Sequence, residues 1–158
     1  MTAIPSISIR RRSPLLSGAL LFVGLVLPIH FAEAGGQVTL KAVMIHASNT
    51  PAPIDQRLER IEYKLRRVFG FEHYRHAGQG SITLALPGEG TIDLGGGYTL
   101  RVQSSDGKDG RIRTKVTWIK GSTTLLSTST RVKRGAPPTV IGGASQGKGK
   151  LIVTLVVR

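Results

Sequence analysis

The sequence predicts an α+β domain, one amphipathic helix packed on a mostly antiparallel β-sheet or small open barrel, after a cleaved signal peptide. Three observations carry this. The first 34 residues have the make-up of an export leader. One stretch near residue 60 has helical periodicity. After Gly70 a succession of short strand-like runs is divided by Gly, Pro and Asp turns.

The leader comes first. Arg10, Arg11 and Arg12 form a positive start, Leu15 to Phe31 is almost wholly apolar, and Ala32-Glu33-Ala34 is a small-x-small cleavage site before Gly35-Gly36. That order defines a secretory signal peptide. The apolar run is broken by Gly18, Gly24, Pro28 and His30, and falls short of the roughly 20 residues a membrane span needs. The expectation is a periplasmic or secreted protein with a signal peptide at 1–34, a single domain at 35–158 and no transmembrane anchor in the mature chain. The arginines also admit the twin-arginine route, but Ser13-Pro14 matches it poorly and favours the general one. The chain has no cysteine. A lipid anchor, disulfides and Cys-based zinc sites are therefore excluded, and stability must come from packing and backbone pairing.

The domain is strongly basic. The chain holds 22 Lys and Arg against nine Asp and Glu; the leader takes three of the former and one of the latter, which leaves 19 against eight. Such an excess favours polyanionic partners. Outside the cytoplasm these are lipopolysaccharide, acidic polysaccharide and acidic lipid headgroups rather than nucleic acid.

Along the domain, residues 38–47 (VTLKAVMIHA) pass from alternation to a continuous apolar run and predict a strand that becomes fully buried. The cluster Ser48 to Pro53 breaks it. A helix is predicted from Ile54 to Phe69, with Ile54, Leu58, Ile61, Leu65 and Val68 on one stripe. Pro53 and Asp55 suit its first turn, Arg66 and Arg67 its last, and Gly70 its end. Glu62 and Arg66 make an i, i+4 pair. Strands are predicted at 71–76, 81–86, 98–104, 111–120, 122–133, 138–141 and 151–157, with turns at Pro87 to Gly90, Gly95 to Gly97, Asp106-Gly107, Asp109-Gly110 and Gly135 to Pro138. The last strand, LIVTLVV, has one polar residue in seven and belongs in the middle of a sheet.

The stretch GGASQGKGK at 142–150 matches two enzyme signatures. A nucleophile elbow at Ser145 needs a helix after it, with an acid and a His further along the chain. A phosphate loop at Gly142 to Lys148 needs a helix, and a Ser or Thr after the Lys. Instead, Lys148 is succeeded by Gly149 and then by an apolar strand without acid or His. The stretch is therefore expected to be a flexible hairpin loop. His73 and His76 would share a helix face but point apart on a strand, so no metal site is expected there. His46 reads as a core or edge histidine. Asp55, Glu59 and Glu62, among Arg57, Arg60, Arg66 and Arg67, read as a solvated face with ion pairs. No catalytic set assembles, so the expectation is a non-enzymatic protein with no cofactor and no metal.

The predicted site is an anion-binding ladder. In 111–118, Ile112, Thr114, Val116 and Trp118 alternate with Arg111, Arg113 and Lys115; in 98–104, Tyr98, Leu100 and Val102 alternate with Arg101. Period two gives each strand one buried and one cationic face, and a hairpin would set Arg101, Arg111, Arg113 and Lys115 on one surface. Like charges across strands destabilise unless an anion neutralises them. Trp118 faces inward, which disfavours a nucleic-acid partner needing exposed aromatics.

Ile45-His46-Ala47-Ser48-Asn49, Asp55-Gln56-Arg57-Leu58, Phe71-Glu72-His73-Tyr74 and the close Gly147 to Val153 resemble a loose group of small exported proteins of Gram-negative bacteria without assigned activity. The resemblance implies an extracytoplasmic β-rich domain and transfers no catalytic residue. Val140-Ile141-Gly142-Gly143 with the last strand is also similar to the end of secretin domains, but the rest of a secretin is missing. Two functional expectations result. One is a binding or structural module of a cell-envelope or secretion-related complex, with a protein partner. The other is a charge-driven binder of envelope polyanions.

Overall fold

The computed structural model describes residues 36–53 and 55–158. The predicted signal peptide, its cleavage before Gly35 and the helix start at Ile54 lie outside the described residues. In chain order the elements are β1 (Gln37–Ser48), a 3-10 turn (Gln56–Leu58) running into α1 (Glu59–Phe69), β2 (His73–Ala85), β3 (Gly88–Gly95) and β4 (Tyr98–Asp106). A second 3-10 turn (Lys108–Gly110), β5 (Arg111–Lys120), β6 (Thr123–Lys133), β7 (Thr139–Gln146) and β8 (Gly149–Val157) complete it. The fold is α+β. Its strands form two four-stranded antiparallel sheets, ordered β2-β1-β8-β7 and β3-β4-β5-β6.

Alternation explains the main core. Val38, Leu40, Ala42 and Met44 of β1 and Leu151, Val153, Leu155 and Val157 of β8 meet Leu100, Val102, Val116, Trp118 and Val132 of the second sheet. The residues between them face the other way. Ile45, Ala47 and Ile152 join Tyr74 in a smaller core under Leu58 and Leu65 of the helix. β1 and β8 thus bury both faces, and β8 lies between β1 and β7 as its composition requires. Thr39 and Arg158 exchange backbone hydrogen bonds of 3.0 and 2.9 Å, fastening the start of β1 to the end of β8.

Asp55 caps the helical segment. Its carboxylate accepts from the Arg57 backbone N–H (3.1 Å), and from the Arg57 guanidinium at 2.9 and 2.8 Å. It also accepts from the His76 N–H at 2.9 Å, which ties the helix start to β2. Gly70, with φ 72°, ends α1 and its N–H bonds the Arg66 carbonyl at 2.9 Å. The predicted stripe needs one correction. Val68 is 64% exposed, and Phe69, four residues after Leu65, packs on the core instead.

Three strand boundaries also differ from expectation. The runs 71–76 and 81–86 are one strand, β2, whose register with β1 shifts between Met44 and Ile45. The expected turn at Pro87 to Gly90 opens β3, a strand absent from the expected set. Glycine lets β2 and β3 approach closely: a Cβ on Gly78 or Gly80 would meet the carbonyls of Leu94 and Asp93, and one on Gly90 the Ile82 side chain. These glycines provide space within strands, not freedom for turns. The third is the expected loop at 142–150. β7 runs through Gln146, which pairs with Gly149, and only Gly147-Lys148 turn, with Gly147 at φ 56°.

Candidate anion-binding face

Among the described residues, the helix packs on the first sheet and none covers the outer face of the second. On β5, Ile112, Thr114, Val116 and Trp118 are buried, and Arg111, Arg113 and Lys115 are exposed between them. Arg101 is exposed on β4, between buried Leu100 and Val102. All four predicted residues therefore share this face, but not as one continuous ladder. Arg101 lies opposite Thr117, Gln103 opposite Lys115 and Ser105 opposite Arg113. Arg101 thus meets the β5 cations only diagonally, at Lys115.

The denser charge lies on the other side of β5. Arg113 is directly opposite Arg131 of β6, and Arg111 directly opposite Lys133. Opposed residues on one sheet face stand with Cβ atoms about 4.5–5.5 Å apart, where like charges repel. These four residues, with Lys108 and Asp109 of the turn, line an open hollow of ≈ 690 Å³. Among the described residues the ion pairs are Arg57–Asp55 (2.8 Å), Arg66–Glu62 (2.7 Å) and the longer His73–Glu72 contact (4.0 Å). None draws on this face. On the far side of the sheet, Glu89 of β3 accepts from the Gln103 side chain at 3.0 Å. The face therefore runs from acidic at β3, with Glu89 and Asp93, to cationic at β6.

Arg131 and Lys133 lie outside the predicted set, although the signal for them was present. Val132 between them is buried, so period two puts both on the outer face. From Arg111 to the last residue the chain also holds ten Lys and Arg and no acid.

The other candidates resolve simply. Ser145 lies in β7, and a two-residue turn and another strand come after it, not the helix that either enzyme signature requires. Tyr74 and His76 face the helix side of β2, since they oppose Ala47 and Ile45 of β1; His73 and Arg75 face the other way. No group of three or more His, Asp or Glu among the described residues is placed to hold a metal ion. The Asp55 carboxylate is fully occupied, and the Arg57 guanidinium, then the His76 N–H, hold its pKa well below the usual carboxylate range. Burial beneath the helix pushes the Tyr74 hydroxyl up. No helix among the described residues is long and apolar enough to cross a membrane.

Comparison of the chain with protein-family models, with curated proteins and with solved structures found no match. The class of protein is thus defined by the fold and this face: a two-sheet antiparallel α+β domain with one cationic sheet surface. The resemblance to small exported proteins rests only on the short motifs quoted for it.

Proposed function

We propose that this is an exported, non-enzymatic binding module that holds an anionic envelope polymer on the outer face of its second sheet. The observation that carries the reading is the pair of like-charged oppositions, Arg113 with Arg131 and Arg111 with Lys133. Such an arrangement opposes folding unless counter-charge is supplied, and an extended polyanion supplies it along the strand direction. A protein partner in an envelope complex is the weaker reading, because the cores of protein interfaces are depleted in charge. Nucleic acid fits less well, since Trp118 and Tyr98 of this sheet face inward and offer no stacking surface on its cationic side.

The test is heparin and lipopolysaccharide binding across a salt series, with circular dichroism as folding control. At about 0.15 M salt the screening length is about 8 Å, so affinity should fall steeply as salt rises. Reversing Arg111 and Arg113 to Glu should weaken binding more than about tenfold with folding intact, and Arg101→Glu should weaken it less. A double reversal that binds like the parent rejects the reading. Export rests separately on the leader: N-terminal sequencing of the exported form should begin at Gly35, and a result of Met1 rejects it.

A further inference from the structure

At one end of the domain residues of both sheets line a common hollow. There His46 of β1 follows buried Met44 on the inter-sheet side and lies opposite Arg75 of β2 and Leu151 of β8. Two open hollows meet at this point, of ≈ 360 and ≈ 270 Å³, and both are lined by His46, Arg75 and Gln146. The larger continues over Met44, Leu151 and Tyr98, which are 3%, 4% and 7% exposed. The smaller includes Lys148 of the tight turn. Gly149 leaves room for the imidazole: a Cβ there would stand 3.0 Å from His46 Nε2.

The lining has one sign of charge and one apolar side. No Asp or Glu lines either hollow, and neither Arg75 nor Lys148 takes part in an ion pair among the described residues. A guanidinium presents a planar fork matched to a carboxylate, and an imidazole offers an N–H in either protonation state. An apolar bed with a few convergent polar groups is how small-molecule sites are made, from about 300 Å³ upward. We propose that this cleft binds a small carboxylate with a short apolar tail. Arg75 takes the carboxylate, with His46, Gln146 and Lys148 around it, and the tail lies on Met44, Leu151 and Tyr98. A bare inorganic anion would forgo the apolar bed, and a neutral alcohol would forgo Arg75. The site stands apart from the cationic sheet face and shares no residue with it.

Octanoate is the probe, titrated into the protein and followed by amide NMR. Saturable shifts are expected at His46, Arg75, Gly95 and Gly149, with octanol and phosphate at least about tenfold weaker. Arg75→Ala should reduce octanoate affinity at least about tenfold, and Arg75→Lys by less; if the Ala variant does not fold, Arg75→Gln serves the same test. Arg111→Glu with Arg113→Glu should leave octanoate binding within about twofold, which separates this site from the polyanion face. The proposal is overturned by absence of saturable shifts, by equal binding of octanol, by indifference to Arg75, or by a loss in the double reversal as large as in Arg75→Ala.

Discussion

Among the described residues, the first sheet is covered on both sides, by the second sheet and by α1, whereas the second sheet is covered on one side only. The sequences record this difference. In β8, Leu151 to Leu155 are all buried in succession, while in β5 buried and exposed residues alternate from Arg111 to Val116. A run buried on both faces, such as Leu151 to Leu155, has no position free for a charge, so most of the domain's surplus of cations goes elsewhere. The uncovered sheet receives a large share of it. Charge density on the outer face is thus partly a consequence of architecture, but architecture alone would not set Arg113 against Arg131. Serine and threonine fill the same face at Thr117, Ser127 and Ser129.

The sharpest way to break the comparison is a glutamate scan of neighbouring positions. In β8, Ile152→Glu and Val153→Glu should each destabilise by more than about 4 kcal/mol, because either face buries an unpaired charge. In β5, Ile112→Glu should be comparably severe, whereas Arg113→Glu should stay within about 0.5 kcal/mol. Chemical denaturation measures all four. Equal damage at Ile112 and Arg113 would mean that the second sheet is covered on both sides after all.

A middle-sized effect belongs to the covered sheet. Asp55→Ala removes the cap and the tie to β2, and should cost about 0.5–2 kcal/mol at neutral pH. The pKa of Asp55 is depressed in the folded state, so its contribution is present above the unfolded value of about 3.9 and is lost as pH falls below it towards the folded one. Parent and variant should therefore converge in thermal stability as pH is lowered from about 5 towards about 2. A gap that widened on acidification would reverse the assignment.

The smallest effect sharpens the comparison most. Arg131→Ser relieves the opposition with Arg113, and should raise stability by a few tenths of a kcal/mol at low salt. The gain should shrink at about 1 M salt, where the screening length is about 3 Å. Thermal melts in both conditions decide it; a loss of stability at low salt would show that Arg131 has a partner.

The helix, β1, β4, β5 and the central place of β8 were legible in the sequence, because each has a clean period or an unbroken apolar run. The pattern misled where glycine serves proximity. The expected strands 71–76 and 81–86 left Gly78 and Gly80 between them, yet both lie mid-strand, where backbone from β3 occupies the space a side chain would need. Reading Pro87 to Gly90 and Gly95 to Gly97 as turns hid β3, although Ile92 and Leu94 alternate there in the expected way. Val68 and Phe69 both fit a helical stripe, and only the packing on the first sheet chooses Phe69. For the cationic face, period two correctly put Arg101, Arg111, Arg113 and Lys115 outside, but which charges oppose one another depends on strand register. Period two also puts Arg131 and Lys133 on that face, but their opposition to Arg113 and Arg111 comes only from the pairing of β5 with β6. The cleft at His46 had no local signal, since its lining comes from β1, β2, the β3–β4 turn, β4 and the β7–β8 hairpin.

The lacing of Thr39 to Arg158 has a consequence for the order in which the domain assembles. The second sheet is a plain meander, each strand hydrogen-bonded to its successor in the chain, so its pairings need only short loops to close. The first sheet sets β1 beside β8, which joins opposite ends of the domain. During synthesis the meander has all its strands once Lys133 has been made, whereas β1 waits for a neighbour that is the last strand produced. Until then its apolar inter-sheet face has β2 beside it and an open edge on the other side. Contacts of such long sequence separation slow folding. Until β8 is made, the nascent domain thus holds β1 with one edge unpaired, and an unpaired strand edge is open to pairing with other chains.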